Sequence, residues 1–80
     1  MKQPPNSVAA IGGWIRSRRK ARGLTQQELA ELAGVSRPYL SRLENGETTG
    51  RAAELDRVLR VFGKRLWFED VPPELRERLK

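Results

Sequence analysis

The stretch LTQQELAELAGVSRPYLSRLENG, residues 24–46, constrains the fold most, because it carries start and stop signals for two short helices in succession. Thr25 is a good N-cap, and Glu28 three residues later completes a capping box, which predicts a helix from about Gln26. Gly34 is predicted to end this helix, because glycine enters the left-handed backbone region without a Cβ clash. Apolar side chains fall on one side, so the helix is amphipathic.

A second short helix is predicted directly after the glycine turn. Ser36 can cap it, and Pro38 lies in its first turn, where a missing backbone N–H does no harm. It runs to about Asn45, where an Asn-Gly pair ends it. Ala30 and Gly34 are small, and we expect them where the two helices cross closely. Two short helices joined at so sharp a corner form a helix-turn-helix, a layout with which proteins read DNA.

Helical periodicity predicts one further helix on each side of this pair. The first covers about residues 8–22. Gly12 and Gly13 each weaken it by about 1 kcal/mol relative to alanine, so we expect its start to fray. The second covers about residues 51–62, where apolar side chains recur three and four positions apart.

The segment KRLWFE, residues 64–69, differs in kind from the helices before it. Its alternation places Leu66 and Phe68 on one face and Trp67 on the other, which predicts a β-strand. A single strand cannot satisfy its own backbone, and the chain offers no second strand. We therefore expect this segment to pair with its copy across a two-fold axis, so that these three side chains lie in a homodimer interface.

The sequence thus divides into four stretches. Residues 1–7 contain two prolines and are interpreted as a flexible arm. Residues 8–63 form the predicted helix-turn-helix domain, and residues 64–70 form the predicted dimerisation strand. Residues 71–80 form a charged tail that is either solvated or docked onto a protein partner.

Composition narrows the class of function. The 80 residues include 16 Lys and Arg against 10 Asp and Glu, a net charge of +6 that suits a polyanion such as double-stranded DNA. Composition alone equally fits an ordinary soluble basic protein, so the interpretation as a DNA-binding protein depends on the helix-turn-helix pattern. Cys and His are absent from the sequence, and no nucleophile and base pair, metal cluster or cofactor site is visible, which argues against an enzyme. No apolar run of about 20 residues predicts a membrane span, so we expect a cytoplasmic, nucleoid-associated protein.

The order and spacing of these motifs resemble the lambda-repressor-like, or Xre, family of bacterial and phage DNA-binding domains. The resemblance covers about residues 11–63 and rests on Ile11-Gly12, Ile15-Arg16, Arg19, Gly23-Leu24-Thr25-Gln26, Glu28-Leu29-Ala30, Ala33-Gly34-Val35-Ser36 and Leu43-Glu44-Asn45-Gly46. It implies a compact all-α bundle of four to five helices, with the short C-terminal strand here in place of the family's last helix. That departure resembles the HipB-type antitoxins.

This second resemblance implies a specific function. HipB-type antitoxins are dimers that repress their own operons and bind a HipA-like kinase toxin. The chain is therefore interpreted as a dimeric repressor acting on a palindromic operator, and as the antitoxin of a HipBA-like operon. Two alternatives stay open, namely a stand-alone or phage-type Xre regulator and a protein-binding module that uses residues 64–69.

Candidate site residues follow from placing the second helix of the motif in the major groove. We expect the side chains on its exposed side to contact the bases, and they are Arg37, Pro38, Ser41 and Arg42. The two arginines can bind guanine through two hydrogen bonds, or they can instead contact only phosphates. By resemblance, phosphate contacts are expected from Gln26, Tyr39 and Asn45. Ser36 and Thr48 are further candidates for phosphate contact, although Thr48 can instead act as a cap and Asn45 can simply end its helix. Several have a structural alternative, since Ser36 can be only a cap and Tyr39 can pack under the following loop. The family pattern also implies a partly buried structural ion pair between Arg19 and Glu44.

Overall fold

Four α-helices follow one another in the computed structural model of the protein, which describes residues 7–66. They are α1 (Val8–Ala21), α2 (Gln26–Ala33), α3 (Arg37–Glu44) and α4 (Ala52–Val61). The described range contains no β-strand, and the predicted all-α helix-turn-helix bundle of four to five helices is confirmed. No helix within this range has the length and apolar character that a membrane crossing requires.

Side-chain caps set the starts of the first three helices. The Oγ of Ser7 accepts the N–H of Ala10 at 3.1 Å, before the first turn of α1. The predicted capping box at the start of α2 is present, since the N–H of Glu28 donates to Thr25 Oγ1 at 3.0 Å and the N–H of Thr25 donates to Glu28 Oε1 at 2.9 Å. These hydrogen bonds to Thr25 lower the pKa of the Glu28 carboxyl, so acidification weakens this cap.

The corner between α2 and α3 depends on one glycine. Gly34 has φ of +72°, the left-handed conformation in which a side chain is strained, and the N–H of Val35 donates to the carbonyl of Ala30 at 3.0 Å. A Cβ added to Gly34 would meet no atom within 4 Å, so the expected role of Gly34 in a close helix crossing is wrong. Backbone conformation alone explains this glycine, whereas Ala30 is fully packed, with 1% of its surface exposed.

Each helix contributes to a single hydrophobic core. α1 packs against α3, and α2 packs against both α3 and α4. The side chains that are completely buried come from all four helices, and they are Ile15, Leu29, Leu40, Leu43 and Val58. Removing a side chain of this kind from water contributes about 1.5–3 kcal/mol to stability. Helix α3 has its position fixed by the core on one side only, because its buried residues include Leu40 and Leu43.

Helices α1 and α3 approach each other closely at Gly12. Gly12 is buried, and a Cβ added to it would overlap the carbonyl oxygen of Leu43. A glycine at this position lets the two backbones touch directly. The neighbouring Gly13 is exposed, and a Cβ there would meet no atom within 4 Å. The two glycines, which helix propensity treats alike, thus differ in role, and α1 is helical from Val8.

The chain turns back along α4 after its last helix. Residues 64–66 are neither helix nor strand. The N–H of Leu66 donates to Asp56 Oδ1 at 2.8 Å, a hydrogen bond that lowers the pKa of Asp56, and the half-buried Leu66 side chain packs against the core. Trp67 and Phe68, with the rest of the predicted strand, the tail and the arm before Ser7, lie outside the described residues. Pairing of this segment across a dimer stays a prediction.

Alanine substitutions at the two neighbouring glycines test the close approach of α1 and α3. Gly12→Ala is expected to lower the free energy of unfolding by about 1–3 kcal/mol, because its methyl group must displace the α3 backbone. Gly13→Ala is the matched control and is expected to raise the free energy of unfolding by up to about 1 kcal/mol through helix propensity. Urea unfolding measures both values. Equal losses of stability in the two variants would contradict the packing role of Gly12.

Candidate nucleic-acid interface

Helix α3 has two clearly separated sides. Along one side, Arg37, Pro38 and Arg42 are exposed and Ser41 is half-buried, so all four predicted base-reading residues lie on one arc of about two turns. The opposite side carries the buried residues Tyr39, Leu40, Leu43 and Glu44. Within residues 7–66, Arg37, Pro38 and Arg42 on this arc are left exposed, and we name the four residues Arg37, Pro38, Ser41 and Arg42 the reading face.

A buried ion pair holds the C-terminal end of α3 against α1. Arg19 donates from Nε to Glu44 Oε2 at 2.8 Å and from Nη2 to Glu44 Oε1 at 3.0 Å, the two-pronged geometry of a strong charge-assisted contact. Only 11% of the Arg19 side chain and 1% of the Glu44 side chain are exposed. Hydrogen bonding to Glu44 raises the pKa of the guanidinium. The structure thus places together the two residues for which the family pattern implied a structural role.

The same two side chains also fix the start of α2. Arg19 Nη1 donates to the carbonyl of Leu24 at 2.8 Å, in the loop between α1 and α2. Gln26, the first residue of α2, donates from Nε2 to Glu44 Oε1 at 3.2 Å. Sequence reasoning missed this second contact, because its partners are 18 residues apart and no local pattern signals it. The start of α2, whose first N–H groups have no partner inside the helix, is therefore held beside the end of α3.

Ser36 and Asn45, two predicted phosphate contacts, lie at opposite ends of α3. Ser36 is exposed and caps the helix, its Oγ accepting the N–H of Tyr39 at 3.2 Å. A hydroxyl that accepts in this way keeps its own proton to donate to a further group. Asn45 is exposed and ends the helix, as its residue type predicted.

Tyr39 lies beneath the loop that follows α3. Its side chain is buried, and its hydroxyl donates to the carbonyl of Thr49 at 2.6 Å, which uses its one proton. Burial raises the pKa of Tyr39 to about 12, with a smaller contribution from the charge of Glu54. Gly50 crosses the ring so closely that a Cβ there would overlap it, a contact that sequence reasoning also missed. In the same loop, Thr48 Oγ1 accepts the N–H of Gly50 at 2.9 Å and retains its own proton.

Comparison with known proteins identifies the family. The family model described as Helix-turn-helix matches residues 15–66, so the chain belongs to this family, and the resemblance to Xre-type domains is confirmed. A solved structure of the clp gene regulator ClgR from Corynebacterium glutamicum superimposes with a TM-score of 0.66 at 36% identity, covering 79% of this chain and 67% of that chain. The fold and the family together place the chain in the helix-turn-helix family of transcriptional regulators.

Three curated relatives extend the comparison. The antitoxin PezA of Streptococcus pneumoniae is 42% identical over 52 residues, which are 65% of this chain and 33% of PezA. The ImmF control region 10 kDa protein of Bacillus phage phi105 is 40% identical over 48 residues, 60% of this chain and 53% of that protein. An uncharacterized HTH-type transcriptional regulator of Haemophilus influenzae is 37% identical over 59 residues, 74% of this chain and 59% of that protein. The chain thus spans between a third and about three fifths of these relatives.

Two arginines with equally short ion pairs test the importance of burial. Arg19→Gln is expected to lower the free energy of unfolding by about 3–5 kcal/mol, because it leaves the Glu44 carboxylate buried without its counter-charge. Arg60 pairs with Asp56 at the same 2.8 Å, yet 59% of its side chain is exposed. Arg60→Gln is therefore expected to leave stability nearly unchanged. Chemical unfolding compares the variants, and similar losses in both would refute the special role of the Arg19 and Glu44 pair.

Absorbance titration can read the environment of Tyr39 directly, because it is the only tyrosine in the chain. In the folded protein its midpoint is expected near pH 12, and in denaturant near 10. The folded state favours the un-ionised phenol, so this contribution to stability is complete below pH 10 and is lost as the pH rises towards 12. Tyr39→Phe should remove this part of the alkaline destabilisation. A folded-state midpoint near 10 would show that the ring is not buried under the loop.

Proposed function

We propose that the protein is a dimeric transcriptional repressor that binds a palindromic operator through the reading face of α3. The observation that carries this proposal is the pair of exposed arginines, Arg37 and Arg42, on a helix whose other side is fixed by the core and by Glu44. A rigidly held helix with a free, cationic side is what insertion into the major groove requires. As a DNA-binding regulator, the protein would act in the cytoplasm, at the nucleoid.

The side chains of the reading face suit different base edges. Arg37 and Arg42 each present a planar fork of donors, which matches guanine O6 and N7 and is worth about 1–3 kcal/mol of discrimination for each good contact. Ser41 is a weaker donor and acceptor that suits several bases. Pro38 has no donor and offers apolar contact to a thymine methyl group.

Phosphate contacts on either side of the reading face would set its depth and register in the groove. We assign these contacts to Gln26, Ser36, Asn45 and Thr48. Gln26 lies at the start of α2, where the helix dipole and the free N–H groups favour an anion. Tyr39 is assigned a supporting role, because its hydroxyl proton is used within the chain to hold the loop that carries Thr48.

An antitoxin role is the more specific form of this proposal. Its support is the 42% identity to the antitoxin PezA over 52 residues, 65% of this chain. A toxin, of the HipA-like kinase class, would then be the protein partner, and residues 64–70 would join the two subunits. A stand-alone or phage-type regulator is the second candidate, and similarity to the phage phi105 control-region protein favours it.

Selection of binding sites from random DNA duplexes tests the reading face. The wild-type protein is expected to select two inverted half-sites about 34 Å apart, each with a guanine that Arg42 reads. Arg42→Ala should relax the preference at that one position in each half-site. Arg42→Lys is the matched control for charge, because it keeps the cation but loses the planar fork, so it should also relax the preference.

The outcomes separate base reading from simple charge attraction. Unchanged specificity in Arg42→Ala would reject the assigned base contact, and normal specificity in Arg42→Lys would show that the residue acts only as a charge. A single half-site would contradict the dimer. The affinity of the wild-type protein for the selected site should fall steeply with salt through counterion release. A flat salt dependence would favour the alternative of a protein-binding module.

A further inference from the structure

A pocket lies between the last turn of α1 and the end of α4. Its volume is about 240 Å³. Its lining comes only from α1 and from the residues that end and follow α4, namely Trp14, Arg18, Ala21, Arg22, Phe62 and Lys64. We name it the basic pocket. Because α3 contributes nothing to it, the basic pocket and the reading face are separate surfaces.

Two arginines lie over two aromatic rings in the basic pocket. The guanidinium carbon of Arg18 is 5.1 Å from the centre of the Trp14 ring, and that of Arg22 is 4.9 Å from the centre of the Phe62 ring. The rings themselves meet edge to face, 6.0 Å apart at 87°. Arg22 Nη1 also donates to the carbonyl of Val61 at 2.7 Å. Stacking restricts both side chains, so less conformational entropy is lost when they bind a ligand.

The charge of the basic pocket is uncompensated within the described part of the chain. Its lining holds three cations, Arg18, Arg22 and Lys64, and no carboxylate. Among residues 7–66, the two ion pairs are formed by other arginines. The dipole of α1 favours basic residues in its last turn. The dipole does not explain why Arg18 and Arg22 lie over aromatic rings around the basic pocket.

The size and lining of the pocket point to one kind of occupant. Sites for small organic ligands usually have about 300–1,000 Å³, so this pocket is small for a free effector and suits one anchoring side chain. A DNA backbone would satisfy the cations but has no apolar group to cover the half-buried Trp14 ring. An acidic stretch of protein supplies both an apolar anchor and the carboxylates, which match the donor forks of Arg18 and Arg22.

We propose that the basic pocket docks an acidic segment of a partner protein. One apolar side chain of that segment packs on the half-buried Trp14 ring, and the carboxylates that flank it pair with Arg18, Arg22 and Lys64. Because the reading face lies elsewhere, this partner can bind while α3 is on DNA. The proposal holds for any acidic partner of this chemistry and does not depend on the antitoxin role.

Titration of the full-length protein with a blocked synthetic peptide tests the proposal. The peptide has one leucine between pairs of glutamates, and its control has glutamines in place of the glutamates. Amide NMR signals of the pocket residues are expected to shift with the acidic peptide only, and signals of α3 should stay unchanged. Absence of binding, or equal shifts with the glutamine peptide, would overturn the proposal.

Charge-reversal variants locate the binding site. Arg18→Glu is expected to weaken peptide binding about fivefold, the size typical of one exposed ion pair. Arg16→Glu is the matched control, since Arg16 is exposed on the other side of α1, and it should weaken binding less than about twofold. Lys64→Gln provides a second, milder variant within the pocket. Equal weakening by Arg16→Glu and Arg18→Glu would show only general charge attraction.

A further variant distinguishes a partner protein from the chain's own acidic residues. Glu69→Gln combined with Asp70→Asn removes the two carboxylates that follow closest after Lys64 in the sequence. If the pocket is open to a partner, this double variant should bind the acidic peptide with unchanged affinity. Tighter binding by the double variant would mean that the chain's own segment competes for the pocket, and this result would overturn the proposal.

Discussion

The charged contact between Arg19 and Glu44 ties together nearly every element that positions the recognition helix. Arg19 reaches from α1 to the end of α3 and to the carbonyl of Leu24, and Glu44 also accepts a hydrogen bond from Gln26 at the start of α2. Apolar packing alone allows some sliding between helices, whereas these hydrogen bonds are directional. The pair is stable in its buried position because each charge supplies what the other has lost from water.

Helices α2 and α3 need this support from the rest of the bundle because they are short. Helices α2 and α3 have eight residues each, and isolated helices of fewer than about 12–15 residues are marginal in water. Caps at Thr25 and Ser36 define where they begin, and burial of one side of each provides the stability that length does not. The helix-turn-helix is therefore a property of the whole four-helix bundle. Its two helices would not keep this geometry without α1 and α4.

Local signals in the sequence were sufficient to predict the helices, and they were not sufficient to predict how the helices meet. The capping box at Thr25 and the turn at Gly34 act over three or four residues, so the predicted bounds agree with the structure to about one residue. Gly12 against Leu43 joins residues far apart in the chain, and helix propensity treats Gly12 and Gly13 alike, so only the family pattern singled out Gly12. The pairing of Arg19 with Glu44 came from family resemblance, since nothing in the local sequence signals it.

In the candidate DNA interface, too, the sequence predicted local features and missed the contacts between distant residues. Helical periodicity alone placed Arg37, Pro38, Ser41 and Arg42 on one side of α3, because spacing of three and four residues defines a helix face. The basic pocket was not predicted, because it forms only when the end of α4 returns to Trp14. The strand prediction relied on alternation around Leu66, whose backbone N–H in the structure bonds to Asp56. The hydrogen bonds and contacts between residues far apart in the sequence are thus what a single sequence does not predict.

The division of α3 into two sides has a consequence for how proteins of this kind diverge. Arg37, Pro38 and Arg42 are exposed and are not part of the hydrophobic core, so exchanging them leaves the packing of Leu40 and Leu43 undisturbed. Mutations that retarget such a regulator to new promoters would accumulate there without a loss of solubility or folding yield. Duplicated genes could in this way acquire separate regulons while inheriting one conserved scaffold.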